Sequence, residues 1–365
     1  MEVFQHLALG FATAATLENL MYCFIGCFLG TAIGVLPGIG PLATIAMLLP
    51  ITYQLSDPTT ALIMLAGIYY GSQYGGSTTA ILVNLPGESA SVVTVLDGYQ
   101  MARQGRAGPA LAIAAIGCFF AGTVATFMLA AFAPPLAEVA FKFGPAEYFS
   151  LMVLGLVAAV VLANGSVVKA LAMVVLGLLL GMIGTDVNSG VARFSFDIPE
   201  LTDGVEFAVV AMGMFGFAEI ILNLEQKEDR SILAGKIRGL FPTMQDLKQA
   251  FMPIVRGTAL GSFLGILPGG GATLSAFSSY ALEKKVSKHP ERFGKGTIEG
   301  VAGPEAANNA GSQMSFVPML TLGLPTNAVM ALMIAAMMIH NIQPGPQVMS
   351  SNPTLFWGLI CSMWI

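Results

Sequence analysis

The chain has 365 residues, of which 55% are hydrophobic and 10% charged, with a formal net charge of -5 and a mean hydropathy of +0.75. Soluble domains carry about 25% charged residues, so this composition excludes an ordinary soluble protein. It predicts an all-α polytopic membrane protein whose surroundings are the lipid bilayer, and we expect no nucleic acid among its partners.

Apolar runs of about 20 residues recur along the chain, and each is long enough to cross a hydrocarbon core of about 30 Å. At 1.5 Å per helical residue, the length predicts about eight membrane segments or more. A final apolar run, Leu355–Ile365, is too short to span. We expect it to be the start of a truncated membrane helix, and a segment that only dips into the membrane is the alternative. The clearest runs are Leu111–Phe132, Phe149–Ala163, Val167–Ile183, Val205–Leu224 and Met314–Ile339.

A broken motif follows the first apolar segment. Gly26, Gly30 and Gly34 recur at the four-residue spacing of close helix contacts, and Leu36–Thr44 then reads Leu-Pro-Gly-Ile-Gly-Pro-Leu-Ala-Thr. Helix packing does not call for Pro beside consecutive glycines, whereas both residue types let a helix end and restart. The motif therefore predicts two helical arms that meet at a Pro/Gly break.

A polar segment interrupts the next apolar stretch. Tyr70–Thr79 (Tyr-Gly-Ser-Gln-Tyr-Gly-Gly-Ser-Thr-Thr) lies within the stretch Ala61–Leu85, and Asn84-Leu85-Pro86-Gly87 ends it. Hydroxyl and amide groups at membrane depth need hydrogen bonds to protein, water or solute. We interpret this segment as a second, discontinuous helix.

The basic residues concentrate in two polar stretches, 225–256 and 284–295. The positive-inside rule places both in the cytoplasm, so the apolar stretch between them, Gly257–Leu282, must enter and leave the membrane on one face. Its break near the middle leaves arms of about 11–13 residues, or roughly 17–20 Å each. This predicts a re-entrant hairpin with its tip near the midplane, and residues 26–53 are expected to form its counterpart. A broken helix that crosses the membrane is the alternative.

Both motifs of the first half return in the second half in the same order. Gly257, Gly261 and Gly265 precede Leu-Pro-Gly-Gly-Gly-Ala-Thr-Leu-Ser at residues 267–275, and Gly311-Ser312-Gln313 precedes Gly323-Leu324-Pro325-Thr326. We predict two homologous, inverted repeats, each with a Pro/Gly-broken re-entrant hairpin and a second discontinuous helix. The predicted organisation is a first repeat with its following transmembrane helices in residues 1–224, a basic cytoplasmic connector in residues 225–256, and a second repeat, truncated at its C-terminus, in residues 257–365.

The broken segments are candidate solute sites. A helix that restarts after a break exposes free N–H groups and a partial positive charge, which suit a carboxylate. Unwound carbonyls and side-chain oxygens suit a hard cation such as Na⁺, and paired broken helices are typical of secondary transporters. The predicted substrate-binding residues are Gly38, Gly40, Thr44, Ser72, Gln73, Ser77, Pro86, Gly87, Gly269, Gly271, Thr273, Asn308, Asn309, Thr326 and Asn327, and the predicted Na⁺ ligands are Asn84, Ser275, Glu305 and Ser312.

The sequence also limits the chemistry. Glu305 has an alternative interpretation as a solvated loop acid that caps the next helix, and Asn308 and Asn309 share it. No Lys or Arg lies within the broken motifs, so helix N-termini and bound cations would balance an anion. The glycine-rich residues 268–273 lack the Lys of a phosphate loop, and the three His are scattered. We therefore expect no enzymatic activity and no cofactor besides Na⁺ as the coupling ion.

Together these motifs resemble the TctA family, the large membrane subunit of tripartite tricarboxylate transporters. The resemblance implies a bacterial inner-membrane, multi-pass permease subunit. It would work with a small membrane subunit and a periplasmic solute-binding protein to take up citrate-like di- or tricarboxylates, coupled to a cation gradient, with Na⁺ as the expected ion. One departure is Thr326, where the family pattern has Gly. The matching segments are residues 34–41, 68–77, 84–88, 97–99, 293–301, 304–310 and 343–346.

The alternative function is a stand-alone carboxylate carrier or an anion channel that needs no binding protein. A membrane scaffold without transport is disfavoured, because buried polar segments are costly in hydrocarbon.

Overall fold

The computed structural model describes residues 2–36, 40–55, 57–162, 166–186, 191–196, 198–202, 204–205, 209–210, 213–214, 218, 221 and 239–365. These residues are mostly helical, which confirms the predicted α-helical class. Among them, strand structure is confined to the antiparallel pair β1 (Gly184–Thr185) and β2 (Ala192–Arg193).

The first half of the chain consists of nine described α-helices, with a 3-10 turn at Ser89–Ser91 and a π-turn at Val95–Tyr99 between α4 and α6. Their bounds are α1 Glu2–Ala14, α2 Leu17–Gly34, α3 Pro41–Thr52, α4 Pro58–Val83, α5 Val92–Thr94, α6 Gln100–Arg103, α7 Ala107–Ala140, α8 Pro145–Leu162 and α9 Val167–Gly181.

The second half contains seven described α-helices, and further 3-10 turns lie at Pro199–Leu201 and Pro290–Arg292. Their bounds are α10 Met244–Ile266, α11 Gly271–Val286, α12 Glu299–Met314, α13 Phe316–Leu322, α14 Ala328–Ile339, α15 Val348–Ser351 and α16 Pro353–Ser362.

The interior of the molecule contains its two polar helices as well as apolar ones. In α12 every residue from Gly300 to Met314 is buried, although this stretch carries an acid, two Asn, a Ser and a Gln. Helix α4 is also buried along most of its length, and so are the apolar helices α14 and α16. The apolar helices α2 and α7 expose large side chains such as Phe24 (70% exposed) and Phe119 (75%). This distribution is the one expected of a chain whose surroundings are hydrocarbon.

Two of the described helices, α2 and α7, are long and apolar enough to cross a membrane by length and composition. Five shorter apolar helices, α3, α8, α9, α14 and α16, accompany them. The predicted run Leu111–Phe132 lies within α7, and Val167–Ile183 corresponds to α9. Most of the predicted run Val205–Leu224 lies outside the described residues.

The glycine stripe of the first half brings α2 against α4. A Cβ added at Gly26, Gly30 or Gly34 would lie 2.3–2.4 Å from a carbonyl oxygen of α4, and at Gly30 that oxygen belongs to Ile68. Such distances leave no space for a side chain. Gly therefore lets the two backbones touch, as the four-residue spacing predicts.

The second stripe does the same between α10 and α12. A Cβ added at Gly257, Gly261 or Gly265 would lie 2.2–2.5 Å from a carbonyl oxygen of α12, which at Gly261 is that of Ala307. In each half, then, a small-residue stripe is packed on the backbone of a polar helix. This close contact buries the polar helix without requiring it to be hydrophobic.

The helix break predicted at residues 323–326 is present, whereas two other predictions about helix continuity were wrong. The run Met314–Ile339 is not one span, because Gly323 adopts a left-handed conformation (φ 69°) and α14 starts only after Asn327, whose side chain accepts a hydrogen bond from Met330 N. Conversely, the polar segment Tyr70–Thr79 does not interrupt α4. Its Ser and Thr hydroxyls find acceptors in carbonyls of their own helix, as Thr78 does in Tyr74 O at 2.9 Å. The break comes later, at Asn84 (φ 62°).

The first arm of the second hairpin is also longer than the 11–13 residues predicted. Helix α10 has 23 residues and begins at Met244, within the connector, because Thr243 and Asp246 form a capping box. Partial burial alone would raise the pKa of the Asp246 carboxyl, but hydrogen bonds from Thr243 and the charge of Arg106 outweigh it and lower this pKa.

The two arms of this hairpin are joined at their base by a bidentate ion pair. Arg256 donates from Nε to Glu283 Oε1 at 2.8 Å and from Nη2 to Glu283 Oε2 at 2.6 Å. Glu283 is buried, so the Arg256 guanidinium supplies the partner that its charge requires.

We predict that Gly261→Ala destabilises the protein by about 1–3 kcal/mol, because its Cβ must displace the α12 backbone. The measurement is the midpoint of thermal unfolding of the purified protein in detergent. Gly177→Ala in α9 is the matched control, since a Cβ there meets nothing within 4 Å. Equal midpoints for the two variants would show that the glycine contact does not limit packing.

Candidate functional site

The breaks of both halves meet at one cavity of about 460 Å³. The loop after α4 contributes to it, as do the starts of three helices, α3, α11 and α14. The described residues that line it are Gly40, Pro41, Leu42, Tyr69, Gln73, Pro86, Gly87, Glu88, Ser89, Val92, Gly270, Gly271, Ala272, Thr273, Asn327, Ala328 and Val329.

The three helix N-termini give the cavity its electrostatic character. Helix α3 starts after Gly40 and α11 after Gly270, and neither has a side chain that caps its first N–H groups. Helix α14 is capped by Asn327. Free N–H groups and aligned peptide dipoles make such ends favourable for an anion. Among the described lining residues none is Lys or Arg, and Glu88 is the only charged one.

Direct hydrogen bonds connect the breaks around the cavity. Gly269 (φ 76°) donates from its backbone N to Thr326 O at 2.8 Å, which ties the break before α11 to the break before α14. Ser89 and Thr273 join their hydroxyls at 2.9 Å, which ties the loop after α4 to the first turn of α11. Three of the breaks are thus bonded into one framework.

The predicted substrate-binding residues do not all lie at the cavity. Gly269 and Thr326 form the link between breaks. Thr44 and Ser72 are buried and bond to their own helices, Thr44 Oγ1 to Gly40 O at 3.1 Å and Ser72 Oγ to Tyr69 O at 2.7 Å. Gly38 lies outside the described residues. Those that line the cavity are Gly40, Gln73, Pro86, Gly87, Gly271, Thr273 and Asn327.

The other predicted residues lie where α4 crosses α12. Glu305 is 1% exposed, and it accepts hydrogen bonds from Ser77 Oγ at 2.7 Å and from Thr94 Oγ1. Cys118 Sγ lies 3.5 Å from the same carboxyl group and also contacts Asn309. The alternative interpretation of Glu305 as a solvated loop acid is wrong, because the residue lies inside α12.

The predicted Na⁺ ligands other than Glu305 bond elsewhere or are exposed. Ser275 Oγ donates to Gly271 O at 2.6 Å, and Ser312 Oγ donates to Asn308 O at 2.9 Å, each within its own helix. Asn84 is exposed at the end of α4. Among the described residues no group of three or more His, Cys, Asp or Glu could hold a metal ion. A role of these oxygens in binding Na⁺ stays a prediction.

Sequence reasoning assigned no role to Glu88, although it lines the cavity. Its position directly after Pro86-Gly87, at the end of a break, is the signal that could have found it. Asp97 was also missed: it is completely buried and accepts hydrogen bonds from Gly296 N at 2.8 Å and from Tyr280 Oη at 2.9 Å. Asp97 thereby ties the helical run after α4 to the loop after α11.

Comparison with known proteins gives a family and two relatives. The Tripartite tricarboxylate transporter TctA family matches residues 20–365. An Agrobacterium vitis protein, described as an uncharacterized 52.8 kDa protein in the TAR-I ttuC' 3'region, is 60% identical over 365 residues, which are 100% of this chain and 72% of that protein. A second, described as an uncharacterized protein in the TAR-II ttuC' 3'region of Agrobacterium vitis, is 60% identical over 105 residues, 29% of this chain and 43% of that protein. No solved structure matches significantly.

We predict that Glu305→Ala lowers the thermal midpoint more than Glu305→Gln does. The Ala variant leaves the buried Thr94 hydroxyl without its acceptor, at about 1–3 kcal/mol, and leaves Ser77 only its bond to Gln73 O, whereas Gln keeps one acceptor oxygen. Glu138→Ala, at an exposed position of α7, is the control and should change stability by no more than about 0.5 kcal/mol. If Glu305→Ala behaves like Glu138→Ala, the carboxyl group does not organise the helix crossing.

Proposed function

Because the chain belongs to the tripartite tricarboxylate transporter TctA family, we propose that it is the permease subunit of a binding-protein-dependent secondary transporter. It takes up citrate-like di- or tricarboxylates across the bacterial inner membrane, driven by a cation gradient, with Na⁺ as the coupling ion. Its partners are a small membrane subunit and a periplasmic solute-binding protein that delivers the carboxylate.

The observation that carries this proposal is the convergence of α3, α11 and α14 on one cavity. Each helix end supplies roughly half a positive charge, so the three together offer about 1.5 charges. Because none of the described lining residues is Lys or Arg, the groups available to bind the carboxylate are N–H groups and hydroxyls such as that of Thr273. Preorganised N–H groups suit carboxylate oxygens.

The balance of charge in the cavity also supports coupling to a cation. A dicarboxylate or tricarboxylate brings two or three negative charges, more than the helix ends balance, and Glu88 adds another where it is ionised. A co-bound cation makes up the difference, so the anion and the cation stabilise each other in the site. Substrate and ion then move together, which is the requirement of a symporter.

We also propose that the chain consists of two inverted repeats, each with a re-entrant hairpin. This arrangement is supported by the equivalent packing of α2 on α4 and of α10 on α12, and by the Pro/Gly break that follows both α2 and α10. Broken helices at the interface of two repeats hold the substrate near the midplane in secondary transporters.

Uptake of labelled citrate or a labelled dicarboxylate by proteoliposomes tests the function. The vesicles contain the chain with its small membrane subunit, and the solute-binding protein is added outside. We expect uptake that requires both the binding protein and an inward Na⁺ gradient. Uptake that is independent of both the Na⁺ gradient and the proton gradient would refute coupling to a cation. Full uptake without the binding protein would favour a stand-alone carrier or channel.

In the same assay we expect Gly269→Ala to reduce initial uptake by about tenfold or more, the factor that corresponds to about 1.4 kcal/mol. A side chain at φ 76° is strained, so the backbone turns away from Thr326 and the start of α11 shifts. Gly105→Ala imposes the same strain at φ 79° in a loop that does not line the cavity. Equal uptake by both variants would contradict a role of the Gly269 break in transport.

A further inference from the structure

Two buried amide oxygens at the helix crossing have no hydrogen-bond partner. They are Gln73 Oε1 on α4 and Asn308 Oδ1 on α12, and their residues are 2% and 1% exposed. A buried acceptor without a donor is costly and uncommon in folded proteins. Two such oxygens on facing helices therefore indicate that something binds between them.

The antiparallel crossing of α4 and α12 places these residues opposite each other. Ser77 bonds to Glu305 at one point of the crossing, and Tyr70 on α4 lines a second cavity together with Asn309 and Gln313 on α12, so the two helices run in opposite directions. Gln73 lies four residues before Ser77, and Asn308 lies three residues after Glu305. One helical turn on each side thus brings the two amides to the same level.

A carboxyl group completes the set of oxygens. Glu88 Oε1 lies 3.4 Å from Asn308 Nδ2, and Glu88 lines the cavity together with Gln73. Within the described part of the chain, neither Glu88 nor Glu305 forms an ion pair with Lys, Arg or His. A water molecule has two O–H donors, whereas a cation can accept lone pairs from both amide oxygens and the Glu88 carboxylate together.

From these observations we infer that Gln73 Oε1, Asn308 Oδ1 and the Glu88 carboxylate bind a monovalent hard cation, Na⁺, at the wall of the cavity. Two neutral amides and one carboxylate carry a single negative charge, which matches a monovalent ion better than Ca²⁺ or Mg²⁺. The site differs from the Na⁺ ligand set predicted from sequence, of which Glu305 accepts hydrogen bonds from Ser77 and Thr94.

This inference rests on the proposed function for its purpose, because a cation beside the helix N-termini is positioned to stabilise a bound carboxylate. The linkage is reciprocal: a bound carboxylate raises the affinity for Na⁺ by the same factor. Cation binding itself requires no carboxylate, so it is measurable on the chain without substrate.

The test measures thermal unfolding of the purified full chain as NaCl replaces choline chloride at constant ionic strength, without carboxylate. We expect the midpoint to rise with Na⁺ and to saturate, and K⁺ to have a much smaller effect. Gln73→Leu and Asn308→Leu should each raise the half-saturating Na⁺ concentration by about tenfold or more. Asn308→Asp keeps an oxygen and adds charge, so it should bind Na⁺ at least as tightly as the unmodified chain.

Gln313→Leu is the matched control. Gln313 is another completely buried amide of α12 with an unpartnered Oε1, but it lines a second cavity of about 270 Å³. Its half-saturating Na⁺ concentration should stay at the original value. If the half-saturating Na⁺ concentration rose only in Gln313→Leu, the ion would be assigned to the second cavity and the inference would be overturned.

Two further outcomes would also overturn it: the absence of any Na⁺-specific stabilisation, or an Asn308→Asp variant as impaired as Asn308→Leu. Either result leaves the transport function standing if reconstituted vesicles still accumulate carboxylate, for example with a proton gradient. Conversely, Na⁺ binding with the expected variant pattern but without any uptake would refute the proposed function and not the site.

Discussion

The fold depends on the direct backbone contact between small-residue stripes and two polar helices. Polar side chains at membrane depth must find partners inside the protein, since hydrocarbon offers none. Helices α4 and α12 meet this requirement by crossing each other, where Ser77 and Thr94 bond to Glu305. Gly30 on α2 and Gly261 on α10 then let apolar helices cover them at the closest possible distance. The burial of the polar side chains of α4 and α12 is therefore a consequence of one packing arrangement.

Because the crossing fixes α4 and α12, it also fixes the segments that follow them. The helix breaks after α4 and α13 end beside the breaks that precede α3 and α11, and the cavity is the space they leave. Its lining combines uncapped helix ends with only one charged side chain among the described residues. An anion bound in such a site would be held by backbone N–H groups and helix dipoles, because none of the described lining residues is Arg or Lys.

Several of these features could be predicted from the sequence, for reasons that are local. Pro and Gly restrict or free the backbone wherever they occur, so the breaks near residues 36–41 and 267–271 could be located without a structure. Other features depend on contacts across the chain. The Ser and Thr hydroxyls in the polar segment of α4 find acceptors in carbonyls of their own helix, so they need no break in it, and Glu88 reaches the cavity and Asn308 because of the way the loop after α4 folds. No local pattern carries this information.

The hydrogen bond from Gly269 N to Thr326 O has a mechanical consequence. It joins the starts of α11 and α14, two helices that point at the cavity from different parts of the chain. A rotation or shift of α11 alone must break this bond, whereas a joint movement of both helices preserves it. Alternating exposure of the cavity to the two sides of the membrane thus costs least when α11 and α14 move as one rigid unit.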